Sequence, residues 1–159
     1  MDFVFANPDL CTGCKSCELA CSLSHEGSCA PSLSRIQIKK WEEIAIYVPI
    51  LCQHCTDAPC IPTCPTRARK RDPKTGAAIT DEKWCVGCKS CIYACPYNAP
   101  VIHALTGKTI SCDLCGGNSP LCVEVCSVGA LLFTANGDSS SIKRRITAET
   151  LFKSGKRPH

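Results

Sequence analysis

The sequence predicts an α+β protein of short helices and β-hairpins, built by duplication of one small unit. Three observations carry this. Cysteine supplies 17 of the 159 residues, and all but Cys29 fall into four ladders in the order A-B-A-B. An internal repeat of that kind marks a duplicated supersecondary unit. Short alternating stretches with turn signals separate the ladders. Bulky apolar residues are scarce, with 6% aromatics and a single Met, so the core needs staples of another kind.

Along the chain, FVF (3–5) reads as an apolar strand. The first ladder, CTGCKSCELAC, holds Cys11, Cys14, Cys17 and Cys21. RIQIKKWEEIAIYVPI (35–50) alternates on both sides of Lys40-Trp41-Glu42, which predicts a β-hairpin inserted over residues 31–51. The second ladder, CQHCTDAPCIPTCP, holds Cys52, Cys55, Cys60 and Cys64. After it, PTRARKRDPKTGAAITDEKW carries an Asp-Pro-Lys-Thr-Gly turn and an alternating strand, a second hairpin. The third, CVGCKSCIYACP, holds Cys85, Cys88, Cys91 and Cys95, and the fourth, CDLCGGNSPLCVEVC, holds Cys112, Cys115, Cys122 and Cys126. ALLF (130–133) reads as a second apolar strand. The tail, 137–159, has no cysteine; after a Ser-rich linker, Ile142, Ile146 and Thr150 share one side of a short helix.

All four ladders share one grammar: Cys-x2-Cys, a third Cys after a gap of two, four, two or six residues, and a last Cys after three more. No apolar run is long enough to span a membrane, and MDFVFANPDLC has neither a basic n-region nor a twin-arginine signal. The chain is therefore expected in the cytoplasm, where thiols stay reduced and dense cysteine means metal rather than disulfides. Zinc needs two Cys pairs around one tetrahedral ion. Three cysteines within seven residues instead wrap a larger inorganic body. The bacterial C-x2-C-x2-C-x3-C-P run holds three corners of one 4Fe–4S cluster and reaches a second with its fourth Cys. The third ladder matches that run, Pro96 included, and the second also ends in Cys64-Pro65. Cys21-Ser22 and Cys126-Ser127 lack the proline, which costs local rigidity but no ligand. Sixteen cysteines so arranged predict four 4Fe–4S clusters.

The formal charge of +4 and the basic stretch TRARKRDPK (66–74) would ordinarily suggest nucleic acid. Each oxidised cluster with its thiolates carries about −2, which brings the loaded chain to roughly −4. Those cations then read as a solvated hairpin that offsets cluster charge, and no nucleic-acid role is expected. His54 sits inside a ladder but fits no ligand slot, so it reads as structural or as a support to the ligands; Cys29 reads as a small semi-buried or exposed bystander. With no Gly-rich phosphate loop and no nucleophile–base pair, no catalytic residue is assigned.

The stretch between the second and third ladders resembles the middle of a two-cluster ferredoxin, which pairs those two ladders. The first and fourth then pair across the outside, where FVF and ALLF meet. Over residues 3 to about 135, on the ladders and on CQHCTDAPC, CPYNAP and KTISCDLC, the chain resembles the four-cluster ferredoxin-type subunits of molybdenum and tungsten oxidoreductases and hydrogenases. These include subunits of dimethyl sulfoxide reductases, formate dehydrogenases and tungsten aldehyde oxidoreductases. The resemblance implies a duplicated, nested two-cluster ferredoxin fold. Residues 1–30 with 96–136 would form an outer lobe and 52–95 an inner one. It also implies the ligand sets: Cys11, Cys14, Cys17 and Cys126; Cys21, Cys112, Cys115 and Cys122; Cys52, Cys55, Cys60 and Cys95; Cys64, Cys85, Cys88 and Cys91.

The same resemblance implies a noncatalytic subunit that passes single electrons. One end would serve a large catalytic subunit, a tungsten or molybdenum pterin aldehyde or formate oxidoreductase. The other would serve a flavin or ferredoxin acceptor, or further copies of the chain in a filament. A hydrogenase complex and a soluble polyferredoxin are the alternatives. An iron–sulfur sensor would want an incomplete ladder, and all four are complete. No membrane anchor is expected. The tail would be a frayed end or a docking arm that uses Lys143, Arg144 and Arg145 against an acidic surface.

Overall fold

Eight short strands make four antiparallel pairs in a computed structural model that describes residues 2–134. The tail, with Ile142, Ile146, Thr150, Lys143, Arg144 and Arg145, lies outside the described residues. Strand β1 (Phe3–Ala6) pairs with β8 (Leu131–Thr134), Phe3 opposite Thr134 and Ala6 opposite Leu131, so the apolar segments at 3–5 and 130–133 do meet. Val4 and Leu131 turn inward from this pair. Strands β2 (Gln37–Trp41) and β3 (Ile46–Ile50) form the expected hairpin. A one-turn 3-10 segment, Glu42–Ile44, and Ala45 at φ 52 make the reversal that joins them. Strands β4 (Arg69–Arg71) and β5 (Ala78–Thr80) form the second.

The fourth pair, β6 (Val101–Ile102) with β7 (Thr109–Ile110), is not among the elements expected from the sequence. Two residues per strand are too short for a period to declare itself. The signal was a spacing. Cys64-Pro-x-x-Ala68 is followed seven residues later by Thr75-Gly76, and Cys95-Pro-x-x-Ala99 by Thr106-Gly107 at the same interval. The turns close alike. Gly76 donates its N–H to the Asp72 carbonyl at 2.8 Å, and Gly107 to that of His103 at 2.9 Å. The Asp72 carboxylate accepts the Lys74 and Thr75 N–H groups, and His103 Nδ1 accepts those of Leu105 and Thr106.

Helices α1 (Ser16–Glu26), α2 (Ser90–Tyr93) and α3 (Leu121–Glu124) each start within a ladder. Helix α1 is stopped by Gly27, whose left-handed φ of 68 lets its N–H reach the Leu23 carbonyl. It packs on α3, and α3 on β8, so the first and fourth ladders share a layer. No helix among the described residues is long and apolar enough to cross a membrane.

Two cores of unequal size result. Val4, Ile36, Ile38, Leu51, Leu114 and Leu131 form the larger with Cys17 and Cys122. At about 1.5–3 kcal/mol for each large buried aliphatic side chain, this core is a substantial term. The smaller core, among the described residues, buries Cys52, Ala78 and Ala99, with Ile61, Cys95 and Cys112 packed against it. A buried methyl group stabilises by roughly 0.8 kcal/mol, against an ordering cost of about 1–2 kcal/mol per residue. The chain around the second and third ladders cannot be held by apolar burial alone.

Candidate metal centre

Each ladder is a loop bent by left-handed residues at a repeated place. The residue before the second cysteine is Gly13, His54, Gly87 or Leu114, with φ of 70, 47, 69 and 57. Lys15 and Lys89, after that cysteine in the first and third ladders, are left-handed as well, at φ 65 and 66. Backbone that alternates in this way turns successive N–H groups into one concavity that suits anions and iron–sulfur sites. For His54 and Leu114 the conformation costs on the order of 1–3 kcal/mol, so the surroundings must enforce it. Two of the loops are also roofed. A Cβ on Gly13 would lie 2.5 Å from the Tyr47 ring of β3, and one on Gly87 would lie 2.5 Å from the Gly107 carbonyl in the β6–β7 turn.

A second turn follows the last cysteine of three ladders. Arg67, Asn98 and Gly129 are left-handed at φ 56, 49 and 65, and each donates its N–H to the carbonyl of Cys64, Cys95 or Cys126. Ala68, Ala99 and Ala130 then enter the interior at 1%, 3% and 2% exposure. Cys126-Ser127 makes this turn without the proline. Cys21-Ser22 does not, because α1 runs on through it. There the buried Ser22 hydroxyl donates to the Leu19 carbonyl and accepts the Ala30 N–H.

All 17 cysteines are unpaired by disulfides. Burial first, then Glu18, pushes the Cys17 thiol up to about 12, with Cys14 and Cys11 adding to the rise. Cys126 packs against the same core as Cys11. Cys122 is pushed up to about 12, mainly by burial, then by Cys21, Cys115 and Cys17. Burial raises Cys115, and Cys21 is among its charged neighbours. Cys112 is driven well above the usual thiol value by burial, with Cys122 and Cys52 contributing. Burial also raises Cys52, near Cys60 and Cys95. Cys91 is raised by burial and feels Cys60. The exposed Cys88 is lowered by its bonds to Ser90, with Cys64 opposing. The Thr109 N–H reaches Cys85 Sγ at 3.4 Å, and its Oγ1 lies 3.6 Å from Cys91 Sγ. Cys55 is anchored through its carbonyl, which accepts from Arg71.

The donors fit 4Fe–4S clusters better than single ions. Thiolates around one zinc would stand only about 4 Å apart, and no three His, Cys, Asp or Glu side chains among the described residues could hold an ion together. Cys21, Cys112, Cys115 and Cys122 line one small pocket together with Ile36, Leu51, Leu114 and Leu121. Its four sulfurs face one apolar surround, which suits one shared inorganic body. At its rim Asp113 gathers His25 Nε2 at 3.0 Å and Arg35 at 3.0 Å. Glu26 meets Arg35 at 3.8 Å and His103 at 3.2 Å.

Two single residues differ from their sequence reading or refine it. His54 is 2% exposed and its Nδ1 accepts the Ala78 N–H at 3.1 Å, so it fastens the second ladder to β5. Its pKa falls to about 4, by burial first and then by Arg69 and Arg71. The stretch 66–74 is not a wholly solvated set of cations. Arg69 is 2% exposed and points into the protein. That correction was invisible in sequence, because β4 starts at Arg69 and the pairing with β5 decides which face it takes. Cys29 is exposed.

Comparison with known proteins agrees with the chemistry of these loops. A 4Fe-4S dicluster domain matches residues 44–136 and a 4Fe-4S binding domain residues 8–24. The polyferredoxin-like subunit of the aliphatic sulfonate oxidoreductase of Pyrococcus furiosus is 46% identical over 124 residues, 78% of this chain and 70% of that one. The thiosulfate reductase electron transfer subunit PhsB of Salmonella typhi is 33% identical over 90% of this chain and 80% of its own. The B subunit of the anaerobic dimethyl sulfoxide reductase of Escherichia coli is 37% identical over 81% of this chain and 71% of its own. Among solved structures, the active site complex BamBC of benzoyl coenzyme A reductase contains a chain similar at 27% identity and a TM-score of 0.53, covering 96% of this chain and 90% of that one. This protein belongs to the 4Fe-4S dicluster family of noncatalytic iron–sulfur electron-transfer subunits, together with those of the dimethyl sulfoxide and thiosulfate reductases.

Proposed function

We propose that this chain is a four-cluster wire in which the ladders pair first with fourth and second with third. When bound, 4Fe–4S clusters take up and release single electrons. One observation carries the reading. Of the sixteen ladder cysteines only Cys14 and Cys88 are exposed, and they fall in the two terminal ligand sets. Cys11, Cys14, Cys17 and Cys126 hold the first set, and Cys64, Cys85, Cys88 and Cys91 the last. The neighbouring thiols support the order between. Cys122 feels Cys17, Cys112 feels Cys52, and Cys91 feels Cys60, one charged neighbour at each junction of successive sets. The nearness of Cys52 to Cys95, and of Cys21 to Cys115 and Cys122, supports the nested sets over a tandem arrangement.

The lobe of residues 1–30 with 96–136 faces a large catalytic subunit, and that of 52–95 faces an acceptor or a further copy. A tungsten or molybdenum oxidoreductase for aldehyde or formate is the proposed partner, a hydrogenase the alternative. The relatives named for thiosulfate and dimethyl sulfoxide reductases support a catalytic oxidoreductase subunit as the partner. Anaerobically purified protein should hold about 16 iron and 16 acid-labile sulfide per chain, with a magnetically coupled EPR spectrum on reduction. Zinc in place of iron, or about 8 iron, would sink the proposal. Metal analysis of the co-purified native complex identifies the partner.

A further inference from the structure

Arg69 opens β4 with its side chain in the interior, 2% exposed. Its Nη1 donates to Thr80 Oγ1 at 2.8 Å and to Ser111 Oγ at 2.6 Å. Its Nε and Nη2 are buried without an acceptor. Among the described residues no carboxylate lies within ion-pair distance of it. A guanidinium is a permanent charge with five donors in a rigid fork, and a buried one without an anion is strongly penalised. The site must supply an anion of another kind.

Ladder cysteines flank the segments that hold Arg69: β4 follows Cys64, and Ser111 precedes Cys112. Its backbone N–H bonds to Cys64, and Cys52 and Cys91 are among the groups its charge reaches. Ser111, which holds Nη1, adjoins Cys112 and itself donates to the Ala78 carbonyl. The hydroxyls of Thr80 and Ser111 fix one arm of the fork, which leaves Nε and Nη2 as preset donors.

We propose that Arg69 is the shared counter-ion of two clusters, those held by Cys52, Cys55, Cys60 and Cys95 and by Cys64, Cys85, Cys88 and Cys91, with Nε–H and Nη2–H as donors to their sulfur. This rests on the ligand scheme proposed above. A fixed cation and N–H donors beside a centre that gains negative charge on reduction favour the reduced form, and so raise its potential. Arg69 therefore makes the second half of the wire easier to reduce than its ligands alone would.

The test compares cluster-loaded wild type, Arg69→Gln and Arg69→Lys by redox titration followed with EPR. Arg69→Gln should lower two of the four midpoint potentials, each by a tenfold or greater fall in the reduced-to-oxidised ratio at fixed applied potential, about 59 mV for a one-electron couple. Arg69→Lys, which keeps the charge and loses the fork, should recover most of the shift. Unmoved potentials in Arg69→Gln, or equal shifts in both variants, would overturn the counter-ion. Should Arg69→Gln fail to retain iron, Arg69→Lys decides. Full iron with potentials near wild type upholds the role, and the same iron loss overturns it. Iron counts on the same samples keep the two readings apart. A wild type without four clusters refutes the ligand scheme, whereas four clusters with unmoved potentials refute only the counter-ion.

Discussion

Cys95 closes the third ladder in chain order, yet its charged neighbour is Cys52 of the second. Cys95→Ala should therefore cost about 4 of the 16 iron, taken from the cluster of Cys52, Cys55 and Cys60, and spare that of Cys85, Cys88 and Cys91. Retention of the former cluster with loss of a fourth-ladder one would fit a tandem pairing instead. Cys29→Ala should leave iron content unchanged, since the exposed Cys29 stands outside every ladder. Ladder cysteines were legible in sequence because cluster ligation demands one residue type at fixed spacing. The burial of Arg69 was not, and His54 was legible only as structural or as a support to the ligands. Their roles come from burial beneath β4 and β5, and the same letters on the other face of a strand would be solvated.

At the scale of elements, Gly87 and Gly107 make a controlled pair. Both are left-handed, at φ 69 and 68, and an alanine at either costs on the order of 1 kcal/mol in backbone strain. Only at Gly87 does a Cβ also strike backbone, the Gly107 carbonyl at 2.5 Å; at Gly107 nothing lies within 4 Å. Gly107→Ala should lower the melting temperature by a few degrees at full iron content. Gly87→Ala should lower it further and reduce the iron held by the third ladder. Equal effects in calorimetry and iron assay would mean the turn gives way, so that it is no roof. The hairpins at 37–50 and 69–80 were readable from alternation and from Asp-Pro-Lys-Thr-Gly. The third was hidden because its turn is closed by His103 where the other uses Asp72, an equivalence of shape rather than of residue type.

For the whole molecule, the unequal cores predict how it comes apart. Chelation of the metal should release residues 52–111 first, because the apolar residues they bury are mostly Ala and Cys, while α1, α3 and the β1–β8 pair persist around Val4, Ile36 and Leu131. Hydrogen exchange at intermediate iron content checks this. Uniform loss of protection would mean that the two cores unfold as one. Deleting 138–159 should keep 16 iron and weaken co-purification with the catalytic subunit; unchanged assembly makes the tail a frayed end. The meeting of the two apolar strands that flank the first and last ladders was legible from their sequence. The partner was not, because the surfaces that select it are no part of the cysteine pattern.

The carboxylates at the rim of the fourth-ladder loop carry one more consequence. Asp113 and Glu26 tie His25 on α1, Arg35 ahead of β2 and His103 of the β6–β7 turn into one series of contacts beside Cys112. Cys112 is also where the fourth ladder meets the second, at Cys52. Tunnelling falls off exponentially with separation, so breathing between those two thiols would spread the transfer rate over a wide range. A stitch that holds three elements to the loop of Cys112 would steady one side of that separation.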